Sequence, residues 1–333
     1  MRNGEKLSSK IERFNKKVEK NLPQLNSVQK IGVFCDFVKE YVFHGAYLED
    51  YIQYGFYWKK RRDRERYVVY EKLMDLKDTC NKEEFRYILN NKFDFNRVYK
   101  DYLHRDYLCI DDANIDDFKE FIKNKEYIFA KEYDGSCGVG VNKVKVSDIE
   151  DIEALFNRYK KQKILCEGVL NQCEELAEFN DSSINTLRIV TLRKADGEVK
   201  IMGGLLRMGR KGKIADNFHH NGIVAYLDGD TGIVSTTGVD REYNRYIHHP
   251  DSGKQIVGFN VPVWDKIEKT IKEAAMVVPE LRYIGWDVVI TKNYEVAIIE
   301  GNSAAEPDGE QITTKEGRWP LYWKYLKEIK ELQ

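Results

Sequence analysis

The sequence predicts an α+β protein in which a mainly helical N-terminal region precedes a part of the chain rich in β-strand. Apolar residues recur at helical spacing up to about residue 104. Beyond that point, short β-like runs are separated by glycines and charged turns. Helices and strands do not alternate regularly, which argues against a repeated βαβ organisation. We therefore expect a helical region at residues 1–104 and α+β structure beyond it.

The N-terminal region shows two helical faces, each with apolar residues at positions i, i+3 and i+7. Asn81 followed by Glu84 matches a capping box, which predicts that a further helix begins there. The two faces consist of Ile11, Phe14 and Val18 and of Ile31, Phe34 and Val38.

Four consecutive basic residues occur at Lys59–Arg62. Asp63 and Glu65 follow directly, which favours a solvated helix face over a nucleic-acid-binding patch. The whole chain has 54 Lys and Arg against 55 Asp and Glu, for a net charge of −1. No global field therefore attracts nucleic acid or an anionic membrane, and any charge-driven function must be local.

The β-rich regions contain seven predicted strands. The last two flank a short turn at Lys292–Asn293 and predict a hairpin. One predicted helix, Asp148–Lys161, lies between strands, and another, Leu321–Leu332, closes the chain. The strands are Tyr127–Glu132, Lys163–Cys166, Thr186–Leu192, Val199–Leu206, Ile223–Leu227, Tyr283–Ile290 and Tyr294–Glu300.

At 333 residues, 42% of them hydrophobic, the chain can bury a sizeable core. Residues 1–10 lack the apolar segment of a signal peptide, and no window approaches the ~20 apolar residues of a membrane span. The six cysteines form no C-x-x-C pair, and His219–His220 and His248–His249 lack partners at metal spacing. We expect a cytoplasmic protein with reduced thiols and no transmembrane segment.

A strand ending in lysine precedes a glycine-rich segment. Lys131 leads into Asp134-Gly-Ser-Cys-Gly-Val-Gly140. Glycine lets backbone N–H groups approach an anion closely, and an ammonium group at the base of the loop neutralises charge on a polyphosphate. The spacing matches neither the dinucleotide-binding nor the P-loop pattern. An ordinary glycine-rich hairpin is equally compatible with this segment.

Oxygen-bearing side chains occur on both strands of the predicted hairpin. Asp287 lies within the first strand, and Glu300 and Asn302 lie at the end of the second. Residues two apart point the same way, and a hairpin places Asp287 opposite or diagonal to them, so three oxygen ligands converge. Such ligands suit Mg²⁺. Acidic residues that only end strands are the alternative, but Asp287 interrupts an apolar run, where an unpaired carboxylate is costly.

Two arginines lie on neighbouring predicted strands. Arg188 is near the start of one strand and Arg207 near the end of the next, with Asn217 in the loop beyond. Paired arginines can stabilise charge on a transferring phosphoryl group or bind a carboxylate, with surface salt bridges as the alternative. The loop from 208 to 221 is basic and contains glycine, which favours a cover over an anionic substrate.

Taken in order, these elements resemble the ATP-grasp superfamily, and three strings are most similar to its sugar-transfer-associated family. The resemblance extends from about Lys92 to Asp308, whereas residues 1–80 are only loosely similar to the family. Several separate motifs in the right order are more specific than any one of them. The strings are Ser183-Ile-Asn-Thr-Leu-Arg-Ile-Val-Thr191, Gly285-Trp-Asp287 and Glu300-Gly-Asn302.

The resemblance implies an ATP-grasp fold in which two α+β subdomains, a small one at 105–168 and a large one at 169–333, grip ATP. It implies that Lys92 and Lys131 hold the phosphates from two sides of the fold. The backbone of a hinge would bind adenine, and Glu174, with Glu175 as the alternative, would bind the ribose. The covering loop would include Gly135, Ser136, Gly138 and Gly140, and the hinge would consist of Glu167, Gly168 and Val169.

The resemblance also implies roles at the reaction centre. Asp287, Glu300 and Asn302 match magnesium ligands, with Mn²⁺ as an alternative ion. Arg188, Arg207 and Asn217 match positions that handle the γ-phosphate and the acyl-phosphate in the related glutamate ligases. The resemblance implies the same roles for these three residues.

The implied activity is an Mg·ATP-dependent ligase that joins a carboxylate to an amine through an acyl-phosphate and releases ADP. The implied substrates are a small-molecule or sugar-linked carboxylate and an amine acceptor in cell-surface polysaccharide assembly, with no nucleic acid. One alternative is a kinase that phosphorylates a hydroxyl. Another is a nucleotide-binding scaffold without turnover, but intact Lys131 and Asp287 argue against it, because buried polar residues without a role are costly.

Overall fold

The computed structural model describes residues 7–133, 140–212 and 222–332. Within these residues, the N-terminal part is helical, as the sequence predicts. Short 3₁₀ turns join several of its helices. The helices are α1 (Leu7–Asn21), α2 (Ser27–His44), α3 (Leu48–Gln53), α4 (Arg61–Arg64), α5 (Tyr70–Cys80), α6 (Tyr87–Asn90) and α7 (Lys92–Val98).

The structure agrees with the predicted buried face of α1 better than with that of α2. In α1, Phe14 and Val18 are buried but Ile11 is 40% exposed, so the predicted face is confirmed for two of its three residues. In α2, Ile31 is 64% exposed and Val33 is buried instead, so the predicted face is wrong. The physical reason is that α2 carries apolar residues on two sides, and spacing alone does not indicate which side packs.

Asn81 does not cap a helix, contrary to the sequence prediction. The chain after α5 forms only a 3₁₀ turn at Glu83–Phe85, and the Asn81 side chain is fully buried. Its amide nitrogen donates to the carbonyl groups of Tyr283 (2.7 Å) and Ser303 (2.9 Å), and its oxygen accepts from the Tyr283 N–H (2.9 Å). The short polar side chain that suits a cap thus pairs with the backbone of a distant segment.

Four antiparallel strands form a first sheet. They are β1 (Tyr107–Cys109), β2 (Tyr127–Glu132), β3 (Val141–Lys145) and β4 (Ile164–Gly168), in the spatial order β1-β4-β2-β3. Helices α8 (Ile115–Ile122) and α9 (Ile152–Gln162) pack on this sheet through Phe118 and Phe156. α9 begins later than predicted, because the Asp151 side chain accepts the Ala154 N–H (2.9 Å) and caps the helix.

A second, larger sheet contains seven antiparallel strands within the described residues. The predicted strands of this region are all present, although the last one begins and ends two residues later than predicted. The strands are β5 (Thr186–Arg193), β6 (Val199–Met208), β7 (Ile223–Leu227), β8 (Gly238–Val239), β9 (Arg245–Tyr246), β10 (Tyr283–Ile290) and β11 (Val296–Asn302), in the order β11-β10-β5-β6-β7-β8-β9. The remaining helices are α10 (Glu174–Ala177), α11 (Trp264–Ala274), α12 (Asp308–Thr314) and α13 (Trp319–Lys330).

The N-terminal helices share buried clusters with the second sheet and its helices. Leu73 and Leu76 of α5 pack with Tyr322 and Leu326 of α13 and with Val190 of β5. The two antiparallel sheets, each with helices packed on it, confirm the predicted α+β class. No helix in the described part of the chain is both long and apolar enough to cross a bilayer.

Candidate active site

The β10–β11 hairpin brings the predicted oxygen ligands together. Asp287 lies directly opposite Glu300, and Asn302 lies opposite Gly285, so the predicted pairing is confirmed. A β-bulge follows Asp287 and changes the register from that point. The Asn302 amide nitrogen is 3.5 Å from the Gly285 carbonyl oxygen. The two carboxylates and the amide therefore lie at one end of the hairpin.

Arg188 and Arg207 direct their guanidinium groups at Asp287. Arg188, on β5, is the cross-strand partner of Asp287, with Nε 2.6 Å from Oδ1 and Nη2 3.2 Å from Oδ2. Arg207, at the end of β6, donates from Nη1 to Oδ1 (2.8 Å). Because the Asp287 side chain is largely buried, these contacts are not the exposed salt bridges of the alternative interpretation. The three strands β10, β5 and β6 thus place two cations on one carboxylate.

The pKa values of the two opposed carboxylates shift in opposite directions. Burial acts to raise the pKa of Asp287, but the charges of Arg188 and Arg207 outweigh it and lower the pKa. Burial and the negative charge of Asp287 raise the pKa of Glu300. Asp287 therefore carries the charge of the pair, and Glu300 takes up a proton more readily than an ordinary glutamate.

The donor chemistry of the hairpin fits Mg²⁺. Mg²⁺ prefers oxygen ligands and is commonly held by one or two carboxylates together with substrate phosphates and water. A cation between Asp287 and Glu300 would relieve the repulsion that raises the Glu300 pKa. Across residues 7–133, 140–212 and 222–332, no group of three or more His, Cys, Asp or Glu could hold a metal by itself. The set of two carboxylates and the Asn302 amide thus fits an ion shared with a bound phosphate.

Lys131, at the end of β2, forms an ion pair with Glu167 of β4. The Glu167 carboxylate also accepts from Asn96 Nδ2 (2.7 Å) and Arg105 Nη2 (2.8 Å). Burial acts to raise the Glu167 pKa, but the charges of Arg105 and Lys131 outweigh it and lower the pKa. The Arg105 side chain is 3% exposed and that of Lys131 is 13% exposed. Lys131 is therefore the cation of this cluster that a ligand reaches more easily.

Arg105 also joins the first sheet to the β10–β11 hairpin. Besides contacting Glu167, it donates to the carbonyl oxygens of Ile298 (2.9 Å) and Ile299 (3.1 Å) in β11, directly before Glu300. Sequence analysis did not identify Arg105 or Asn96, because neither belongs to a recognisable spacing or motif. Their roles depend on contacts between segments far apart in the chain.

Lys92 lies at the same end of β2 as Lys131. Its Nζ donates to the Glu132 carbonyl (3.1 Å), and its backbone N–H donates to the Tyr133 carbonyl (3.2 Å). The two lysines thus lie near the same end of β2, and their expected grip on the phosphates stays a prediction. α7 begins at Lys92, directly against the end of β2, and this packing brings both ammonium groups to the base of the glycine-rich segment.

The predicted hinge consists of the last residues of β4 and Val169. The Gly168 N–H already donates to the Asp106 carbonyl (2.9 Å), so it is engaged and does not face an open adenine site. Val169 follows the strand directly and is half-buried. Glu167 uses its side chain for the cluster with Lys131. Of the three predicted hinge residues, Val169 is thus the one best placed for a backbone contact with adenine.

Glu174 and Glu175, the two candidates for a ribose ligand, lie in the first turn of α10. The Glu175 carboxylate accepts a hydrogen bond from the Tyr294 hydroxyl (3.0 Å). Glu174 is exposed. The geometry therefore favours Glu174, the first choice from the sequence, as the carboxylate open to a ligand.

The two predicted loops are described only in part. Gly135, Ser136 and Gly138 of the glycine-rich segment, and Asn217 with His219 and His220 of the basic loop, lie outside the described residues. Gly140 is described, with a φ of 73° in the left-handed region. Its carbonyl accepts the Glu132 N–H (3.0 Å), which pairs the two ends of the glycine-rich segment.

The beginning of the basic loop, directly after Arg207, is fixed at Gly209. Its N–H donates to Asn185 Oδ1 (3.0 Å), and its carbonyl is 3.0 Å from Nε2 of the buried His249. A Cβ at this position would lie 2.2 Å from Ser183 Oγ, so the close approach requires glycine. Asn185 is the third residue of the similarity string that contains Arg188, but the sequence analysis predicted no role for its side chain. Its contacts hold the start of β5 and the end of β6 together.

The sequence profile of the sugar-transfer-associated ATP-grasp family matches residues 72–327 of this chain. No match is found among curated proteins compared by sequence.

Solved structures with a similar fold include several ligases and synthetases. The ATP-grasp ligase PsnB, complexed with a minimal precursor, is 12% identical, with a TM-score of 0.48 over 74% of this chain and 64% of PsnB. D-alanyl-alanine synthetase A from Vibrio cholerae O1 biovar eltor is 14% identical, with a TM-score of 0.45 over 72% and 66% of the two chains. N5-carboxyaminoimidazole ribonucleotide synthetase from Thermotoga maritima is 13% identical, with a TM-score of 0.43 over 74% and 50%. This chain spans less than two thirds of the length of each.

Proposed function

The chain belongs to the sugar-transfer-associated ATP-grasp family, and from this membership we propose that it is an ATP-dependent ligase that joins a carboxylate to an amine. The observation that carries the proposal is the end of the β10–β11 hairpin. There, Asp287 and Glu300 are directly opposed, and Arg188 and Arg207 both contact Asp287. Carboxylates for a divalent ion beside two arginines supply what phosphoryl transfer requires, which is positioning and stabilisation of charge.

The proposed reaction has two steps. A carboxylate oxygen of the first substrate attacks the γ-phosphorus of ATP, the bond between that phosphorus and the β–γ bridging oxygen breaks, and ADP leaves. The nitrogen of the second substrate then attacks the carbonyl carbon of the acyl-phosphate. Phosphate leaves, the nitrogen loses a proton, and an amide bond remains. The overall products are ADP, phosphate and the amide.

The residues of this chain bind and orient the reactants. Lys131 and Lys92 hold the phosphates at the end of β2, Val169 contacts adenine through its backbone, and Glu174 binds the ribose. Asp287, Glu300 and Asn302 would hold Mg²⁺, or Mn²⁺ in its place, which neutralises phosphate charge when bound.

The remaining site residues act on the transferring phosphoryl group. Arg188 and Arg207 stabilise the negative charge that develops there, because guanidinium groups bind phosphate through several N–H donors. The proposal assigns Asn217 and the covering-loop residues Gly135, Ser136, Gly138 and Gly140 to the same reaction centre.

The name of the family supports a substrate class for the proposal. Sugar transfer points to a carboxylate carried on a sugar, such as a uronic acid, and to an amino acid or another small amine as the acceptor in cell-surface polysaccharide assembly. We place the reaction in the cytoplasm, where ATP is available.

The test is to measure ADP release and product formation by the purified protein with Mg·ATP and a panel of uronic and amino acids. Hydroxylamine is added in place of the amine, because it converts an acyl-phosphate into a stable hydroxamate. We expect hydroxamate and ADP in equal amounts with at least one carboxylate. ADP release without hydroxamate would contradict the ligase proposal. A stable phosphorylated product would instead identify a kinase, and tight ATP binding without turnover would identify a scaffold.

Matched variants connect this activity to the hairpin. Asp287→Asn removes the charge that both arginines contact, and we expect it to lower turnover at least a hundredfold and to raise the Mg²⁺ concentration needed. The control is Asp265→Asn, an exposed aspartate in the first turn of α11. Equal activity of the two variants would contradict the assignment of Asp287 as a metal ligand. Circular dichroism establishes that both variants are folded.

A further inference from the structure

The outer side of α2 carries a continuous apolar stripe that is open to solvent. Val28, Ile31, Cys35, Val38 and Val42 follow one another at spacings of three and four residues and so align along one side of the helix. Val28 is 77% exposed, and Cys35 and Val42 are also exposed. The opposite side of the helix packs in the N-terminal core. We call these five residues the α2 stripe.

One exposed aromatic residue extends the apolar surface at the C-terminal end of the stripe, and a second lies next to the basic run. Phe43 directly follows the stripe and is 75% exposed. Trp58 is 66% exposed and directly precedes the basic run Lys59–Arg62. Isolated exposed apolar residues are ordinary, but a contiguous group of them indicates an interaction surface.

The basic run lies beside this end of the α2 stripe. Phe43 and Lys39 of α2 line the same groove as Arg61. Lys60, Arg61 and Arg62 are exposed. The run is exposed to solvent, as the sequence predicts, and it also flanks the apolar surface.

Nearby acidic residues do not neutralise this flank. Asp36 and Glu40 of α2 both pair with Arg64, each at 2.9 Å. Arg64 thereby offsets one of the two negative charges that lie closest to Lys39 and Phe43. Within the run, Arg61 pairs with Glu65 (3.1 Å). Lys60 and Arg62 have no acidic partner within 4 Å among the described residues. The flank keeps a local positive charge, although the whole chain is nearly neutral.

We propose that the α2 stripe, Phe43, Trp58 and the basic run form a docking surface for an anionic lipid bilayer. A helix that presents one apolar side and adjacent cations lies in the plane of the membrane interface, with the apolar side between the headgroups and acyl chains. Trp and Phe are suited to this interface. The cations contact anionic headgroups, which adds an attraction that salt screens.

Two other occupants fit these observations less well. A second copy of this chain would bury only one side of α2, a footprint on the order of 300 Å² from the dimensions of an 18-residue helix. A stable interface buries about 800 Å² on each partner. Nucleic acid would use the basic run, but it offers nothing that covers the aliphatic residues of the α2 stripe.

The experiment is sedimentation of the full-length protein with vesicles of phosphatidylcholine alone and of phosphatidylcholine with 30 mol% phosphatidylglycerol. We expect binding to the anionic vesicles to be at least tenfold tighter than to the neutral ones at low salt. We also expect it to weaken several-fold at 0.5 M NaCl, because salt screens the attraction of the cations.

Two variants separate the contributions. Ile31→Ser with Val42→Ser should weaken binding to anionic vesicles about tenfold, since both residues are exposed and can be changed without loss of folding. Lys60→Glu with Arg62→Glu should weaken it to a similar extent and remove its salt dependence. The matched controls are Ile247→Ser, a 58% exposed residue outside the N-terminal region, and Lys324→Glu with Lys327→Glu on α13. Both controls should bind within twofold of the natural chain.

The outcomes that overturn the proposal are specific. Absence of vesicle binding by the natural chain excludes the bilayer. A dimer in light scattering that becomes a monomer in Ile31→Ser with Val42→Ser, without vesicle binding, identifies a second copy as the occupant. Binding to a DNA or RNA duplex, but not to vesicles, that is lost in Lys60→Glu with Arg62→Glu identifies nucleic acid. Unchanged melting temperatures of the variants exclude misfolding as the cause.

Discussion

Glu167, at the end of β4, and Glu310, in α12, are both buried glutamates paired with an arginine. Their pKa values nevertheless shift in opposite directions. Glu167 has two cations and an amide around it, and its pKa is lowered. Glu310 is paired with Arg318 (Nε to Oε2, 3.0 Å), but neither carboxylate oxygen accepts a hydrogen bond from the described residues. Burial raises the pKa of Glu310 to about 7.

The difference shows that burial with one ion pair does not determine whether a carboxylate is charged. Hydrogen bonds to the charged form and a second cation decide it. Glu167 keeps its charge and orients Lys131 beside the proposed nucleotide site. Glu310 lies on the buried side of α12, where its charge would destabilise the folded state and has no proposed role in binding.

The largest expected effect comes from removing the buried arginine of each pair. Arg105→Met leaves the Glu167 charge with Lys131 alone, and we expect a loss of about 3–5 kcal/mol in the free energy of unfolding. Arg318→Met should cost less at pH 6, because Glu310, with a pKa of about 7, becomes neutral. Urea unfolding at pH 6 measures both. Equal losses would show that the two pairs do not differ as described.

The next largest effect is the pH dependence of the contribution that Glu310 makes to the free energy of unfolding. Its pKa is above the ordinary value of 4.5, so its contribution to stability is present below pH 4.5 and is lost as the pH rises through 7. From pH 5 to pH 8, the natural chain should lose up to roughly 3 kcal/mol relative to Glu310→Gln. Thermal unfolding of both proteins across this range measures the effect. A constant difference between them would show that Glu310 has an ordinary pKa.

Glu167 provides the opposite sign for the same experiment. Because its pKa is lowered, its contribution is present above the ordinary glutamate pKa and is lost as the pH falls toward the folded-state value. The natural chain should therefore lose its advantage over Glu167→Gln on acidification, not on alkalinisation. A shared direction for the two glutamates would contradict the comparison.

A smaller effect is expected on nucleotide binding. Lys131→Ala removes the more accessible cation of the Glu167 cluster, and we expect ATP to bind about tenfold more weakly, or about 1.4 kcal/mol. Thermal-shift titration with ATP, ADP and AMP, with and without Mg²⁺, measures this change. The matched control is Lys143→Ala in β3 of the same sheet, where the ammonium group lies over the Tyr127 ring. If both variants bind ATP as tightly as the natural chain does, the assignment of Lys131 to the nucleotide site is wrong.

The smallest expected effect comes from an exposed ion pair. Lys272 lies 2.6 Å from Glu268 on α11, a shorter distance than that of the Arg318–Glu310 pair. Lys272→Ala should nevertheless change the free energy of unfolding by less than about 0.5 kcal/mol, because water and salt screen an exposed pair. A loss above 1 kcal/mol in urea unfolding would show that distance, rather than environment, governs these pairs.

The sequence was sufficient where a local pattern determines the geometry. Asp287 interrupts an apolar strand, and a short turn separates that strand from the next, so the pairing of Asp287 with Glu300 could be predicted. The short strands β1 and β3 were not predicted, because three to five residues show too little alternation to be distinguished from a loop.

Contacts between distant segments could not be predicted. Asn96 lies in the helical region and Arg105 follows it. The sequence around these two residues does not indicate that they contact Glu167. The two sides of α2 are both apolar, so the sequence did not reveal that Ile31 is exposed and Val33 buried. In each case, the missing information was which segment packs opposite the residue.

The buried Asn81 amide makes the helical region and the second sheet one cooperative folding unit rather than exchangeable modules. A chain truncated to begin at residue 105 would leave the Tyr283 N–H and the carbonyl groups of Tyr283 and Ser303 without this partner. Unsatisfied backbone groups in a protein interior are costly. Unfolding of the helices would therefore release the start of β10 and the end of β11. Thermal or proteolytic opening of the helical region would then abolish the proposed activity, although none of α1–α6 contributes a proposed ligand to the site.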